Sequence, residues 1–333
     1  MLLKKFTGSI AIAIGLLAIA SISNAQTPIE WKYYTFNQVN DNITKTHREF
    51  ATAVREATGG RLNITVFGAG ELPYSAPDML KSVATNQIQM ADIAFGLSAG
   101  DVPELNVLSL PFLCASYEGF DAALPAIKKV ADKVLNEKFG LTAAVHFTPP
   151  PQNLWSSRPI TTLGDFKGLK VRTWNPAQVS MMRALGGSPV SINPKEVITS
   201  LQRKVIDAVI TGSLSANDWR AYDVLKNGYL LNISMGHMAM IINNDELNKL
   251  PEDVRKILLD TAAASTSRYR QMSELGGEAA VKNLIKNGVV MASPTAADLS
   301  AAQEMVRPIW NEWATANGEV GKTLLQGALD SCK

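Results

Sequence analysis

The chain has 333 residues with 32 basic and 30 acidic side chains, a formal net charge of +2 at pH 7. This near-balance argues against nucleic acid or an anionic membrane as a partner held by long-range attraction. Two cysteines are too few for a small disulfide scaffold, and sequence alone leaves open whether Cys114 and Cys332 pair. A chain of roughly 300 residues is near the size at which one core divides into two lobes.

The N-terminal segment is typical of a secretory signal peptide. Lys4 and Lys5 precede an apolar run over residues 10–22, and a small-residue cleavage site lies before Gln26. That run is shorter than the roughly 20 residues that cross a bilayer, which favours a cleaved signal over an anchor. Removal of residues 1–25 takes two of the 32 basic residues and leaves 30 against 30 acidic ones. We therefore expect a neutral, secreted, periplasmic protein.

Strand and helix patterns alternate along the mature chain. This order is typical of an α/β protein whose parallel strands are joined by crossover helices. Strands are predicted at 31–36, 62–67, 90–95, 141–147, 169–173, 190, 208–210 and 237–242. Helices are predicted at 43–58, 76–85, 117–138, 176–185 and 194–203.

The region after Pro251 carries a long helical pattern that no proline interrupts until Pro294. As one helix, residues 251–287 would extend about 55 Å, more than the diameter of one lobe. Two readings remain open from the pattern alone. Either the pair Gly276-Gly277 divides the segment into two helices, or one helix spans both lobes.

Catalytic motifs are absent from the sequence. The three histidines, His47, His146 and His237, do not have metal-ligand spacing, and no GxSxG, Walker-type or complete GxGxxG motif occurs. We therefore expect no metal, no cofactor and no enzymatic activity.

The most informative residue is Arg172, at the end of a predicted strand where the chain turns toward a helix. Ligands collect at the carboxyl ends of strands in open α/β sheets, and a guanidinium there can hold a carboxylate through two parallel hydrogen bonds. A surface arginine paired with a neighbouring acid is the alternative reading.

Five stretches in fixed order carry a family resemblance over nearly all of the mature chain. The sequence resembles the periplasmic binding proteins of tripartite ATP-independent periplasmic (TRAP) transporters, the DctP-like family. The stretches are Gly70-Glu71-Leu72-Pro73, residues 90–95, residues 108–113, residues 168–172 continuing to 184–189, and residues 196–207.

The resemblance implies a two-lobed α/β fold of the periplasmic-binding-protein type (type II-like), with a long helix across both lobes and closure on the ligand. It also implies that Arg172 is the family arginine that binds the substrate carboxylate. Asn175 would orient a ligand oxygen, or would cap the next helix instead. We place lobe I at residues 26–149 plus 237–276 and lobe II at residues 150–236 plus 277–333.

Three positions depart from the family pattern. Thr211 replaces a ligand-facing asparagine, Gln152 lies near the second arginine of sialic-acid binders, and Trp174 stands where proline is common. A second ligand charge would lack a partner here, which is costly in a buried site. The departures therefore predict a monocarboxylate with an apolar or aromatic body rather than a sialic acid or a dicarboxylate.

Other cleft candidates come from strand ends and from the tryptophans. Each has an alternative role in packing, and Trp310 and Trp313 are simplest as core residues of a C-terminal helix. The remaining candidates are Trp155, Trp219, Phe36, Asn37, Phe95, Gly96 and Tyr74.

The sequence thus predicts a monomeric solute-binding protein that takes a small organic carboxylate and delivers it to the small and large membrane subunits of a TRAP transporter. Two alternatives stay open. One is a secreted α/β hydrolase, and the other is the binding component of an ATP-driven importer or a sensor.

Overall fold

The computed structural model describes residues 27–332, so the predicted signal peptide lies outside the described residues. Two mixed sheets flanked by helices form a two-lobed α/β fold, as predicted. The strands of this part of the chain are β1 (Ile29–Tyr34), β2 (Leu62–Phe67), β3 (Met90–Ala94), β4 (Leu141–Phe147), β5 (Gln152–Ser156), β6 (Lys170–Thr173), β7 (Ser188–Ser191), β8 (Ala208–Gly212), β9 (Asn227–Tyr229), β10 (Met238–Asn243) and β11 (Val290–Ala292).

The five helices predicted before residue 204 begin and end close to where the sequence patterns place them, whereas the helices Ser213–Asp218, Asn244–Lys249 and Gly318–Ser331 are not predicted. Two predicted helices, at 76–85 and 194–203, start with a 3₁₀ turn before the α-helix begins. The helices are α1 (Asn42–Ala57), α2 (Met79–Ala84), α3 (Tyr117–Phe139), α4 (Pro176–Ala184), α5 (Val197–Gln202), α6 (Ser213–Asp218), α7 (Asn244–Lys249), α8 (Glu252–Lys286), α9 (Ala296–Ala316) and α10 (Gly318–Ser331).

The first sheet has the strand order β2-β1-β3-β10-β4. Strand β1 runs parallel to β2 and β3, whereas β10 runs antiparallel to both of its neighbours, β3 and β4. The expectation of parallel strands is therefore wrong for β10. This strand returns directly from the second sheet, without a crossover helix that would reverse its direction.

The second sheet has the order β11-β9-β5-β8-β6-β7. Strand β6 is parallel to β7 and β8, but β5 is antiparallel to β8 and β9. The sequence patterns miss β5, which directly follows three prolines, and they miss the three-residue strands β9 and β11. Strands this short carry too few residues for an alternation of apolar and polar side chains to be read.

Helix α8 is a single helix of 35 residues, about 52 Å long, and the glycine pair does not divide it. It packs against α1 and β4 beside the first sheet and against α6 beside the second. A Cβ at Gly277 would lie 2.9 Å from Pro150 Cγ, and the Gly277 carbonyl accepts a hydrogen bond from Ser213. The glycine therefore allows close approach of the helix to the chain between the lobes.

Separate apolar cores support the two sheets. Alternate residues of β8 point into two different clusters, so the second sheet is covered on both faces. Buried side chains between Val107 and Ile127 pack with the core of the second sheet, although they precede β4 of the first sheet. The lobe boundaries stay a prediction. The predicted boundaries assign residues 107–127 to lobe I, whereas these side chains pack with the core of the second sheet.

A disulfide joins Cys114 to Cys332, whose Cα atoms lie 5.0 Å apart. It ties the end of α10 to the start of α3 beside the second core. Over residues 27–332, no helix combines the length and apolar character that a membrane crossing requires.

Candidate functional site

A cavity of about 500 Å³, its mouth included, lies between the two sheets. Parallel strands contribute their carboxyl ends, and the antiparallel strands β5 and β10 contribute their first residues at the same edge. The first sheet and its loops supply Phe36, Asn37, Ile43, Ala94, Leu97 and Met238, the second supplies Gln152, Arg172, Trp174, Pro194, Thr211, Ser215 and Trp219, and the crossing segments supply Pro149 and Gly236.

Arg172 is the cation of this cavity and is only 3% exposed. Its Nε donates to the Ile192 carbonyl at 3.0 Å and its Nη1 to the Ile210 carbonyl at 3.2 Å. No carboxylate of residues 27–332 lies within 4.0 Å of the guanidinium, and Nη2 donates to none of these residues. Burial lowers the pKa of Arg172 to about 9. A buried, unpaired cation gains stability from an anionic ligand.

Asn37 stands on the opposite wall, on the loop that follows β1. Its Nδ2 donates to Thr35 Oγ1 at 2.9 Å and to Asp92 Oδ2 at 3.0 Å. Asp92 is fully buried in β3, and its Oδ2 also lies 3.5 Å from His47 Nε2. The amide is therefore held from behind by groups that do not line the cavity.

Aromatic side chains form much of the remaining wall. Trp174 crosses from the second lobe to Gly96, where a Cβ would come within 2.2 Å of its ring. A Cβ at Gly236 would meet the same ring at 3.8 Å. Trp219 lines the cavity and is 8% exposed. These rings give a ligand apolar surface, and Trp174 fits only because residue 96 lacks a side chain.

Direct hydrogen bonds join the lobes beside the cavity. Asp218, at the end of α6, accepts from the backbone N–H and from Nδ2 of Asn42, both at 2.7 Å. Trp219 Nε1 donates to Asp41 Oδ2 at 3.3 Å. Burial raises the pKa of Asp41 to about 7, and the nearby Asp218 charge adds to this increase. These contacts exist only while the two lobes lie together, so they belong to a closed arrangement.

Asn175 does not line the cavity. Its Oδ1 accepts from the Gln178 backbone N–H at 2.8 Å, which makes it the N-cap of α4. Gln152 does line the cavity, and its Nε2 donates to the Pro150 carbonyl at 3.0 Å. Gln152 and Thr211 are uncharged lining groups at the positions where the sequence departs from its family.

Three further predicted residues lie behind the lining rather than in it. Trp155 is 1% exposed, packs in a core of the second sheet and donates from Nε1 to the Thr211 carbonyl at 2.9 Å. Phe95 is fully buried with its ring 4.5 Å from the His237 ring. The backbone carbonyl of Tyr74 accepts a hydrogen bond from the Tyr34 hydroxyl. Their ligand roles stay predictions.

Sequence reasoning missed several lining residues. Met238 would follow from the strand-end rule once β10 is known to be antiparallel, because its first residue then lies at the cavity edge. Pro149 and Gly236 belong to the segments at the predicted lobe boundaries, and their role as a hinge stays a prediction. The other missed residues are Ile43, Ala94, Leu97, Pro194 and Ser215, and neither motif nor charge marks them.

The three histidines are buried outside the cavity lining. His47 contacts Tyr33, Tyr269 and Asp92, and His146 contacts His237 and Asp132. Within residues 27–332, none of them hydrogen-bonds a serine or cysteine, and no cluster of three acidic, histidine or cysteine side chains could hold a metal ion.

Two α/β lobes around a cavity with a buried cation are the arrangement expected of an extracellular solute-binding protein. The family model for DctP, the bacterial extracellular solute-binding protein family 7, matches residues 35–316. The chain belongs to this family, whose members are periplasmic solute-binding receptors of TRAP transporters that take small acids.

Relatives and solved structures agree with this assignment. The 2,3-diketo-L-gulonate-binding periplasmic protein YiaO of Escherichia coli is 26% identical over 276 residues, 82% of each chain. DctP6 of Bordetella pertussis, an extracytoplasmic solute receptor binding pyroglutamic acid, superposes with a TM-score of 0.86 at 24% identity over 91% of this chain and 100% of that chain. A TRAP periplasmic solute-binding protein of Chromohalobacter salexigens with bound D-glucuronate has a TM-score of 0.84 at 25% identity over 90% and 99%.

Proposed function

We propose that this protein captures a small organic monocarboxylate in the periplasm, through Arg172, and delivers it to the small and large membrane subunits of a TRAP transporter. The observation that carries the proposal is a guanidinium that is 3% exposed, faces the cavity and has no carboxylate partner in the described chain. A ligand carboxylate can complete its hydrogen bonds with the planar geometry that guanidinium favours.

The lining supports one ligand charge and a largely apolar body. Arg172 is the single basic side chain among the lining residues, and the other polar groups are neutral. Phe36, Trp174 and Trp219 offer ring surface to the body of the ligand. Pyroglutamate and glucuronate, the acids named for two structurally similar proteins, each carry one carboxylate, which supports a monocarboxylate more than a dicarboxylate.

The cycle we propose involves binding and closure without chemistry. The acid meets Arg172 in the second lobe, the lobes close about the crossing segments near 149–151 and 235–237, and exclusion of water strengthens the ion pair. Closure also brings Asp218 onto Asn42 and Trp219 onto Asp41. The closed protein then docks on the permease.

A thermal-shift and calorimetry screen of monocarboxylates, dicarboxylates and sialic acid tests the proposal. At 100 times its dissociation constant, a true ligand should stabilise the fold by about 2.7 kcal/mol. Arg172→Lys keeps the charge but loses the planar fork, so we expect affinity to fall at least about tenfold. Arg203→Lys, an exposed change of the same type, is the control. Stabilisation by dicarboxylates or sialic acid alone, or undiminished binding by Arg172→Lys, would refute the proposal.

A further inference from the structure

We infer that Asn37 presents a fixed hydrogen-bond acceptor to the ligand, so the preferred monocarboxylate carries an N–H or O–H donor on its body. This inference rests on the carboxylate site proposed above and specifies what lies at the other end of the ligand. It follows from the groups that surround the amide, which allow only one orientation.

The Asn37 amide has only one orientation that satisfies its neighbours. Its Nδ2 carries two hydrogens, and two acceptors take them, Thr35 Oγ1 at 2.9 Å and Asp92 Oδ2 at 3.0 Å. An ionised carboxylate only accepts, so the opposite amide orientation would place two oxygens face to face. Nδ2 therefore points to Asp92, and Oδ1 is the atom left for the cavity.

Asp92, the carboxylate behind Asn37, is fully buried. Its Oδ2 faces His47 Nε2 at 3.5 Å, while His47 Nδ1 lies 2.9 Å from the Tyr33 hydroxyl and 2.7 Å from the Tyr269 hydroxyl. Burial raises the pKa of both tyrosines, so both hydroxyls keep their protons, and either one can donate to the single lone pair of Nδ1. When Nδ1 accepts, the proton of His47 lies on Nε2, so the ring presents a hydrogen and not a lone pair to Asp92 Oδ2.

Asn37 differs from the other polar side chains of the lining. The hydroxyls of Thr211 and Ser215 can donate or accept, and Gln152 keeps both an oxygen and one free N–H after its bond to Pro150. Arg172 donates only. Asn37 Oδ1 accepts from no residue in the described part of the chain. Asn37 is therefore the one side chain of the lining that can only accept, and it requires a hydrogen-bond donor on the ligand.

A site that offers a buried acceptor discriminates against a ligand that places another oxygen lone pair, or a CH group, opposite it. The preferred ligand class is therefore a compact monocarboxylate with a hydroxyl, amide or amine hydrogen directed at the first lobe. Keto acids, lactones and dicarboxylates of the same shape are disfavoured by their acceptors.

Two ligand pairs test this inference by calorimetric titration of the intact protein. One pair is pyroglutamate and its lactone, in which ring oxygen replaces N–H, and the other is cis-4-hydroxycyclohexanecarboxylate and 4-oxocyclohexanecarboxylate. We expect the donor-bearing acid to bind at least about tenfold tighter in at least one pair. Equal affinities within both pairs, including no binding by all four acids, would overturn the inference. Binding of other monocarboxylates through Arg172 would still leave the proposed function standing.

Two variants locate the discrimination. Asn37→Leu removes the acceptor and should abolish the preference within the pair, whereas Asn40→Leu on the exposed part of the same loop should preserve it. Asp92→Asn does not touch the cavity, but it offers Asn37 an amide partner that permits either orientation. We expect this positioning variant to reduce the affinity ratio within the pair. An unchanged ratio in both Asn37→Leu and Asp92→Asn would also overturn the inference.

Discussion

At the scale of single residues, the cavity combines fixed and adaptable groups. Arg172 can only donate, and the neighbours of Asn37 leave it only an acceptor, while Thr211 and Gln152 can adjust. Under the two proposals above, recognition depends on two side chains from opposite walls. Their roles differ in origin, because Arg172 acts through its own charge and Asn37 through the carboxylate behind it.

Gly96 provides a residue-scale prediction. Gly96→Ala would place a methyl group within 2.2 Å of the Trp174 ring, so the ring must move and the closed cavity must widen. Overpacking of this kind costs about 1–3 kcal/mol, and we expect ligand affinity to fall by about tenfold or more. Isothermal titration measures this loss. Gly96→Ala combined with Trp174→Leu should regain closure, and a double variant no better than Gly96→Ala would contradict the explanation.

Asp41 provides a prediction for pH. Its pKa is about 7 in the folded protein and about 3.9 when unfolded. Between these two pKa values the folded state binds more protons than the unfolded state. The contribution of Asp41 to the free energy of unfolding therefore falls as pH rises from about 4 to 7. Lys45 on the same helix opposes the shift, and Asp218 across the lobe boundary reinforces it.

Calorimetric melting temperatures across that pH range check the prediction. Asp41→Asn keeps an oxygen for the Trp219 and Gln38 donors but does not titrate. The decline in melting temperature toward pH 7 should be shallower in the variant than in the unmodified protein. Parallel profiles would assign the pH dependence to other groups.

At the scale of elements, helix α1 begins with a cap supplied by the other lobe. Its own N-cap residue, Asp41, makes no side-chain capping bond to it, and Asp218 of α6 accepts the Asn42 N–H instead. Negative charge at a helix N-terminus is stabilising, so closure and completion of α1 reinforce each other.

Asp218→Ala should therefore weaken closure more than the open fold. Loss of a capping side chain costs about 1 kcal/mol, which corresponds to several-fold weaker ligand binding. Small-angle scattering with saturating ligand should give a larger radius of gyration for this variant. Asp223→Ala, an exposed acid just beyond α6, serves as the control and should behave like the unmodified protein.

The elements also explain which predictions succeed. Helix α1 and strand β2 have clear apolar periodicity, so their limits are predicted within one residue. Strand direction depends on how the chain returns between sheets, and local patterns do not encode this for β10. Residue orientation is similarly non-local. Leu154 and Trp155 are adjacent, yet they point to opposite faces of the second sheet, and neither lines the cavity.

At the scale of the whole molecule, sequence reasoning is strongest for the architecture and for Arg172, which combines a strand end with a family motif. It is weakest for contacts between distant segments. The orientation of the Asn37 amide depends on Asp92, which is 55 residues away in sequence. The two residues meet because β1 and β3 are neighbours in one sheet. The disulfide similarly joins residues 218 apart, and no local pattern indicates that they meet.

That disulfide should contribute substantially to stability. It closes a loop between residues 218 positions apart, and loss of a native disulfide typically costs about 2–5 kcal/mol. We expect Cys332→Ser to lower the midpoint of guanidinium unfolding, with a similar effect from Cys114→Ser. Under reducing conditions all three proteins should unfold at nearly the same midpoint, and a persistent difference would point to packing rather than the covalent bond.

The position of β10 between β3 and β4 has a consequence for biogenesis. The first sheet lacks a central member until residues 238–243 have been synthesised, although its other strands are complete by residue 147. In an emerging polypeptide, the first sheet therefore stays incomplete until β10 has been synthesised. A fragment that ends before residue 238 would lack β10, so the complete first sheet cannot form from a contiguous N-terminal fragment.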